Sequence, residues 1–252
     1  MATRLFVSPE QLAAEVVVLT EEDHRYLTRV LRMVIGDEVT VFDGIGVEAT
    51  TKIIRIGPRA LELKVEERHL VTAPDRPELS LIQGLAKGDK FDFVVQKATE
   101  LGVGRITPVT TARAIPRPFE AGATRAIGRR ARWQKIAREA SRQSGRADVP
   151  EIEPVSKLEH AVQAAPKDAR KIMLWEGARQ FGLRAALEEP REEKPKRIVL
   201  VVGPEGGFTT AEVEVAREAG FLAVGLGPRV LRTETAALVG LSILGYLLGD
   251  LG

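Results

Sequence analysis

The stretch RIVLVVGPEGGFTTAEVEVAREAGF (197–221), with VGLGPRVLRTETAALVGLSILGYLL close behind it (224–248), decides the fold. In the first piece an apolar run of β-branched residues meets Gly203-Pro204-Glu205-Gly206-Gly207. Thr209 and Glu212 then stand at capping-box spacing, a helix follows, and Gly220 can close it. The second piece repeats the plan: a short strand, a turn containing Gly225, Gly227 and Pro228, then a helix from Glu234. Glycine admits backbone angles barred to other residues and lets a ligand approach main-chain N–H and C=O groups. Two such turns at the carboxyl ends of neighbouring parallel strands can build one crevice, where open α/β sheets bind ligands. Neither turn is a phosphate loop, because no Gly-Lys-Ser/Thr follows, and no G-x-G-x-x-G is present, so a nucleoside triphosphate enzyme is disfavoured. The final helix is apolar nearly all round and carries small residues at Ala236, Ala237, Gly240, Ser242 and Gly245. It must be buried in a core or against a partner subunit.

Working back from these turns, strands are predicted at 79–86, 105–110, 171–176, 197–203 and 223–227. Helices are predicted at 88–101, 120–144, 156–164, 178–187, 209–219 and 234–248. This alternation argues for an α/β domain with a mainly parallel sheet. Upstream of the proline-marked stretch 71–77 the texture differs. Short strands at 5–7, 15–19, 37–43, 47–56 and 60–67, with one helix after the capping-box sequence Thr20-Glu21-Glu22-Asp23, suggest a small barrel. The expected organisation is a barrel domain at 1–72 and an α/β domain at 73–252.

The net charge is +2, but it is unevenly spread. Residues 113–146 hold nine Arg and one Lys against two Glu, a local +8 that leaves −6 on the remainder. On a helix, Arg125, Arg129, Arg132, Lys135, Arg142 and Arg146 share a broad arc, while Trp133, Ile136, Ala137 and Ala140 take a narrower one. The apolar arc can dock while the basic ridge meets a polyanion, whose phosphates suit guanidinium groups. Arg25, Arg29 and Arg32 form a second basic cluster. A solvated charged face is the competing reading of both. The chain has no cysteine, so disulfides and thiolate zinc sites are excluded. Its three histidines lack metal-ligand spacing, and no metal is expected. The N-terminus shows no signal-peptide h-region and no apolar run is long enough to span a bilayer. A cytoplasmic location without membrane association is expected.

GPEGG (203–207) with LGPRVLRTETA (226–236) resembles the SPOUT superfamily of RNA methyltransferases, and more closely its ribosomal RNA small-subunit methyltransferase E family. KATELGV (97–103), RWQKIAREASRQSGR (132–146), RLFV (4–7) and HRYLTRVLRMVIGDEVTVFDG (24–44) are similar to that family in the same order. The resemblance implies a PUA-like N-terminal barrel and a trefoil-knotted α/β methyltransferase domain. It implies a homodimer through the knotted domain, with S-adenosylmethionine bound in the knot. The implied reaction is methylation of N3 of one uridine of 16S ribosomal RNA in the small subunit. Cofactor contacts would map onto Leu174, Val202, Gly203, Glu205, Gly206, Leu226, Gly227, Leu231, Arg232, Thr235 and Ala236. RNA contacts would involve Arg4, Arg25, Arg29, Arg32, Arg125, Arg129, Arg132 and Arg142.

Uracil N3 is a poor nucleophile until its proton leaves. A carboxylate, Glu234 or Glu205, can accept that proton. Alternatively Arg232 can stabilise charge developing on the uracil carbonyls. For Glu234 the simpler role is a helix N-terminal charge that complements the dipole. Two other readings stay open: a different RNA target, base or 2′-O-ribose, and a non-catalytic RNA-binding protein of ribosome assembly.

Overall fold

The computed structural model describes residues 3–71, 76–113, 123–178, 181–188 and 195–251, and the side chains of the helical residues among these except 123–125. Contacts divide the chain into two units, Met1–Ala73 with Arg138–Val149, and Pro74–Ala137 with Pro150–Gly252.

In the first unit, β1 (Arg4–Phe6), β2 (Val16–Thr20), β3 (Glu38–Phe42), β4 (Val47–Ile56) and β5 (Ala60–Leu70) form one curled half-barrel sheet in the order β1-β3-β4-β5-β2. Only the β1–β3 pair is parallel. Strand residues alternate between core and solvent, as in β2, where Val17 and Leu19 are buried and their neighbours exposed. Their inner faces meet around Leu5, Val41, Ile53, Leu61 and Leu63. A short helix, α1 (Pro9–Ala13), was not expected from periodicity. Ser8 and Gln11 close a capping box for it, with Pro9 at its first position.

The helix predicted after Thr20 differs from expectation. It is a five-residue α2 (Glu21–Arg25) that widens into a π-helical turn at Tyr26–Val30, and Thr20 makes no cap hydrogen bond. Glu21 enters with φ 50°, so the chain leaves Thr20 at an angle that does not bring its hydroxyl to the helix amides. The π turn closes with Leu31 N–H donating to the Tyr26 carbonyl (3.0 Å). His24 is buried and its Nε2 is 2.9 Å from the Gly57 carbonyl, a structural role.

In the second unit, the sheet is wholly parallel. Its main strands are β6 (Glu78–Gly84), β7 (Arg105–Thr110), β10 (Arg170–Leu174), β11 (Arg197–Val202) and β12 (Leu222–Val224). Two-residue strands β8 (Glu151–Ile152) and β9 (Ser156–Lys157) extend the edge beside β7, too short to be read from periodicity. The order is β12-β10-β11-β6-β7-β8, with β9 also on β7. β11 is buried at all but its first residue and reads as an unbroken apolar run after Arg197, while β10 is buried throughout although it opens with Arg170 and Lys171.

Both faces of this sheet are covered. α5 (Leu158–Gln163) and α7 (Thr210–Glu218) pack together on the face of Ile82, Val199 and Val201. α8 (Thr233–Leu247) packs against α3 (Lys90–Glu100), α6 (Leu183–Glu188) and β11. Gly240 lets α8 close on the sheet, since a Cβ there would stand 3.0 Å from Leu174 and 3.1 Å from Leu200. The chain thus leaves β11, covers one face with α7, adds β12 at the edge, and returns along the other face as α8.

α4 (Ala123–Ser144) buries Trp133, Ala137 and Ala140. The Trp133 indole N–H donates to Asp92 (2.9 Å) and its ring packs on Phe91. Among the described residues, no helix is long and apolar enough to cross a membrane.

Candidate active site

Three chain segments meet at one cleft on the carboxyl side of the parallel sheet. They are 174–176 after β10, the turn 202–208 after β11, and residues 226–231 with the start of α8. Parallel strands end together, so loops that follow neighbouring strands converge there. Leu174, Val202, Gly203, Glu205, Gly206, Leu226, Gly227, Leu231 and Ala236 all line the cleft. Arg232 and Thr235, exposed at the N-terminus of α8, do not line it, and neither does the half-buried Glu234 in the same turn. Pro204, Gly207, Phe208, Pro228, Arg229, Val230 and Thr233 also line the cleft and were not singled out as contacts. All seven lie inside the two quoted motifs, so a reading by whole loops finds them where a residue-by-residue one does not.

The first turn is tied down from several sides. Gly207 N–H donates to the Pro204 carbonyl (3.0 Å), with Gly207 at φ 65°. The Glu205 carboxylate accepts from Lys87 N–H (3.1 Å) and Lys90 Nζ (2.9 Å). Partial burial works to raise its pKa, but the Lys90 hydrogen bond and backbone N–H groups outweigh this and hold it below the ordinary carboxylate value. Glu205 is therefore an anchored anion, with one oxygen already engaged by the Lys90 ammonium and the Lys87 backbone N–H. Arg113 Nη1 reaches the carbonyls of Gly206 and Phe208, both at 3.3 Å. Thr209 and Glu212 complete the capping box of α7, and the Glu212 carboxylate also accepts from Ala112 N–H (2.7 Å).

The second turn is open. Gly227, Pro228, Arg229 and Val230 are all exposed, Val230 by 81%. Among the described residues no hydrogen bond involves 226–231. α8 starts with Arg232 extended at its N-cap, whose carbonyl accepts from Ala236 N–H (2.8 Å). Glu234 stands in the first turn, and its Oε2 is buried with no hydrogen-bond partner among the described residues.

The basic residues fall into two groups. Arg25, Arg29, Arg32 and Lys135 are exposed. Arg132 is exposed but pairs with Asp92, with Asp89 at 3.5 Å. Arg129 is half-buried. Arg142 pairs with Glu139 (2.7 Å) and lies 5.2 Å from the Tyr26 ring centre. Arg146 pairs with Asp148 (2.5 Å). Arg4 is turned inward: it pairs with Glu48 (2.7 Å), donates to the Arg146 carbonyl (3.1 Å) and lies over the Phe42 ring. The Arg125 side chain lies outside the described residues. Among the described residues no group of three His, Cys, Asp or Glu is placed to hold a metal.

Residues 74–245 match the RNA methyltransferase domain family, and 19–66 match the RNA methyltransferase PUA domain. The class defined by fold and cleft is thus an RNA methyltransferase with an N-terminal PUA domain. A ribosomal RNA small subunit methyltransferase E of Bacillus subtilis (strain 168) is 33% identical over 230 residues, covering 90% of this chain and 89% of that one. Its counterpart from Synechocystis is 33% identical over 98% of this chain and 78% of its own length. The crystal structure of the Neisseria gonorrhoeae enzyme of that name bound to S-adenosylmethionine is 33% identical, superposes with a TM-score of 0.85 and covers 98% of both chains. A Legionella pneumophila methyltransferase in complex with S-adenosylmethionine is 30% identical with a TM-score of 0.84, again over 98% of both. The chain belongs to the ribosomal RNA small subunit methyltransferase E family.

Proposed function

We propose that this chain transfers a methyl group from S-adenosylmethionine to N3 of one uridine of 16S ribosomal RNA in the small subunit. The observation that carries the reading is the convergence of both glycine turns on a single cleft. The cleft suits the cofactor chemically. Leu174, Val202, Leu226, Leu231 and Ala236 offer apolar surface for the faces of an adenine, and the glycine-rich main chain offers donors and acceptors for its polar edges.

When bound, the cofactor supplies an electrophilic methyl group on a sulfonium. The protein's part is to orient the partners and manage one proton. Arg232, exposed at the head of α8, is positioned to meet the RNA and stabilise charge on the uracil carbonyls. Glu234, with an unpartnered buried oxygen, is the better proton acceptor, since Glu205 is engaged by Lys90 and Lys87. N3 lies on the Watson–Crick edge, so the uridine must be unpaired or flipped out. Exposed Arg25, Arg29 and Arg32, with the cations of α4, supply phosphate contacts. Thr235, beside the cleft, contributes its hydroxyl to a bound cofactor.

The passage of the chain between faces around β11, β12 and α8 is the segment that would be knotted. Tyr246 is 66% exposed and Ile243 36% exposed on an otherwise apolar helix, which favours a second copy of this chain as their cover. A cytoplasmic enzyme acting on ribosomal subunits is what this activity requires. The test is methyl transfer to small subunits that lack the modification, with site and atom mapped by nuclease digestion and mass spectrometry. One methyl on N3 of a single uridine is expected. A methyl on a ribose 2′-oxygen or another base would overturn the acceptor assignment.

A further inference from the structure

Gln83 is fully buried near the carboxyl end of the otherwise apolar core run of β6, between Val202 of β11 and Pro108 of β7. Its Nε2 donates to Thr233 Oγ1 (2.9 Å) and to the Gly84 carbonyl (3.1 Å), and stands 3.4 Å from the Gly203 carbonyl. The Thr233 hydroxyl donates onward to the Gly203 carbonyl. Gln83 Oε1 is buried with no hydrogen-bond partner among the described residues. A buried amide oxygen left unpaired costs about 1–3 kcal/mol, which an apolar residue of similar size avoids. The donor end of this side chain therefore needs a reason to be there.

That reason lies in what it connects. Gly203 opens the first cofactor turn, and Thr233 begins α8 one residue beyond the second. Both line the cleft, and Gln83 does not. Next to it, Gly84 seats the first turn from below: a Cβ there would fall 2.5 Å from Pro204 N. The second turn, with no hydrogen bond of its own across 226–231 among the described residues, is tied to the first through Thr233. We propose that Gln83 is a positioning residue: acting through Thr233, it fixes the separation of the two turns and thereby the affinity for S-adenosylmethionine, which it does not touch. The proposal rests on the assignment of that cofactor to the cleft.

The test is calorimetric titration of S-adenosylmethionine into the full chain, with steady-state methyl transfer alongside. Gln83→Met removes the donor at similar length. Cofactor Kd and KM should rise by about tenfold or more, while kcat at saturating cofactor stays within about threefold. A merely structural role would lower the melting temperature and kcat without this split. Thr233→Val should match Gln83→Met, and Thr233→Ser, which keeps the hydroxyl, should bind at least about fivefold more tightly than Thr233→Val. The double variant Gln83→Met/Thr233→Val should be no weaker than either single one, because both break one path. Cofactor binding by Gln83→Met within about twofold of wild type overturns the proposal. If that variant fails to fold, the two Thr233 variants decide, and equal affinity between them overturns it. A wild-type chain that binds no S-adenosylmethionine instead overturns the cofactor assignment itself, and this inference with it.

Discussion

The two glycine turns look alike in sequence and differ in how they are held. Residues 203–207 are fixed by the Glu205–Lys90 pair, by Arg113 on the Gly206 and Phe208 carbonyls, and by Thr233 on the Gly203 carbonyl. Residues 226–231 have no such bonds among the described residues, and four consecutive residues, Gly227 to Val230, are exposed. The same strand–glycine–helix plan thus yields one wall fixed by hydrogen bonds and one that is open and held by none among the described residues. Preset groups lower the cost of binding, and an open wall gives access and a surface that responds to substrate.

The sharpest way to break this contrast is to unseat the preset wall. Gly84→Ala would put a Cβ 2.5 Å from Pro204 N and 2.6 Å from its Cδ, against backbone that cannot swing aside. Overpacking of this kind costs about 1–3 kcal/mol, and here it displaces the first glycine turn directly. Methyl transfer should fall by about a hundredfold or more, read together with cofactor Kd by calorimetry. Wild-type affinity in this variant would show that the first turn is not preset. Next comes the head of α8. Arg232→Ala should lower kcat by about a hundredfold while cofactor Kd stays within about threefold, measured by single-turnover transfer and calorimetry. Equal loss in both would merge the roles of the two turns.

The matching change in the open wall should be milder. Gly227 has φ 100° and nothing within 4 Å of an added Cβ, so Gly227→Ala meets backbone strain without a clash. A left-handed conformation costs a non-glycine residue about 1–2 kcal/mol, so cofactor affinity should fall by about tenfold, well short of the Gly84→Ala effect. Calorimetry on the two alanine variants side by side gives the comparison. A reversed order would mean that the open turn dominates binding.

Much of this contrast was beyond the reach of local pattern. Periodicity and turn residues made β10, β11, α7 and the two turns legible, because burial on both faces leaves an apolar run and the Thr209–Glu212 cap is local. Thr20 offered an equally good cap sequence, yet Glu21 at φ 50° prevents its use. The brace on the first turn comes from Gln83, Lys90 and Arg113, ninety or more residues upstream, and no spacing rule links them to Gly203. A single amide in an apolar strand was the one visible sign. Arg4 shows the converse: the family resemblance implied an RNA contact there, and in the structure Glu48 and Phe42 engage its guanidinium.

The smallest expected effect tests the brace through pH. Glu205 has its pKa lowered below 4.5: burial raises it, but the Lys90 bond and the backbone donors more than compensate. A carboxylate with a depressed folded-state pKa contributes stability that is complete above its unfolded value and is lost as pH falls through the folded one. The Glu205 brace should therefore be intact above about pH 4.5 and weaken progressively below it. Lys90→Met removes the cation that holds this carboxylate, and the pair is partly exposed, so the loss at neutral pH should be slight. Cofactor Kd should rise by only about two- to threefold at pH 7. On acidification below about pH 4.5, the thermal stability of Lys90→Met should fall less than that of wild type, because a carboxylate whose folded pKa lies nearer its unfolded value carries less pH-dependent stability. Coincident acid profiles would mean that the backbone donors alone hold Glu205, and the preset character of the first turn would then rest on Thr233 and Gly84 instead of on charge.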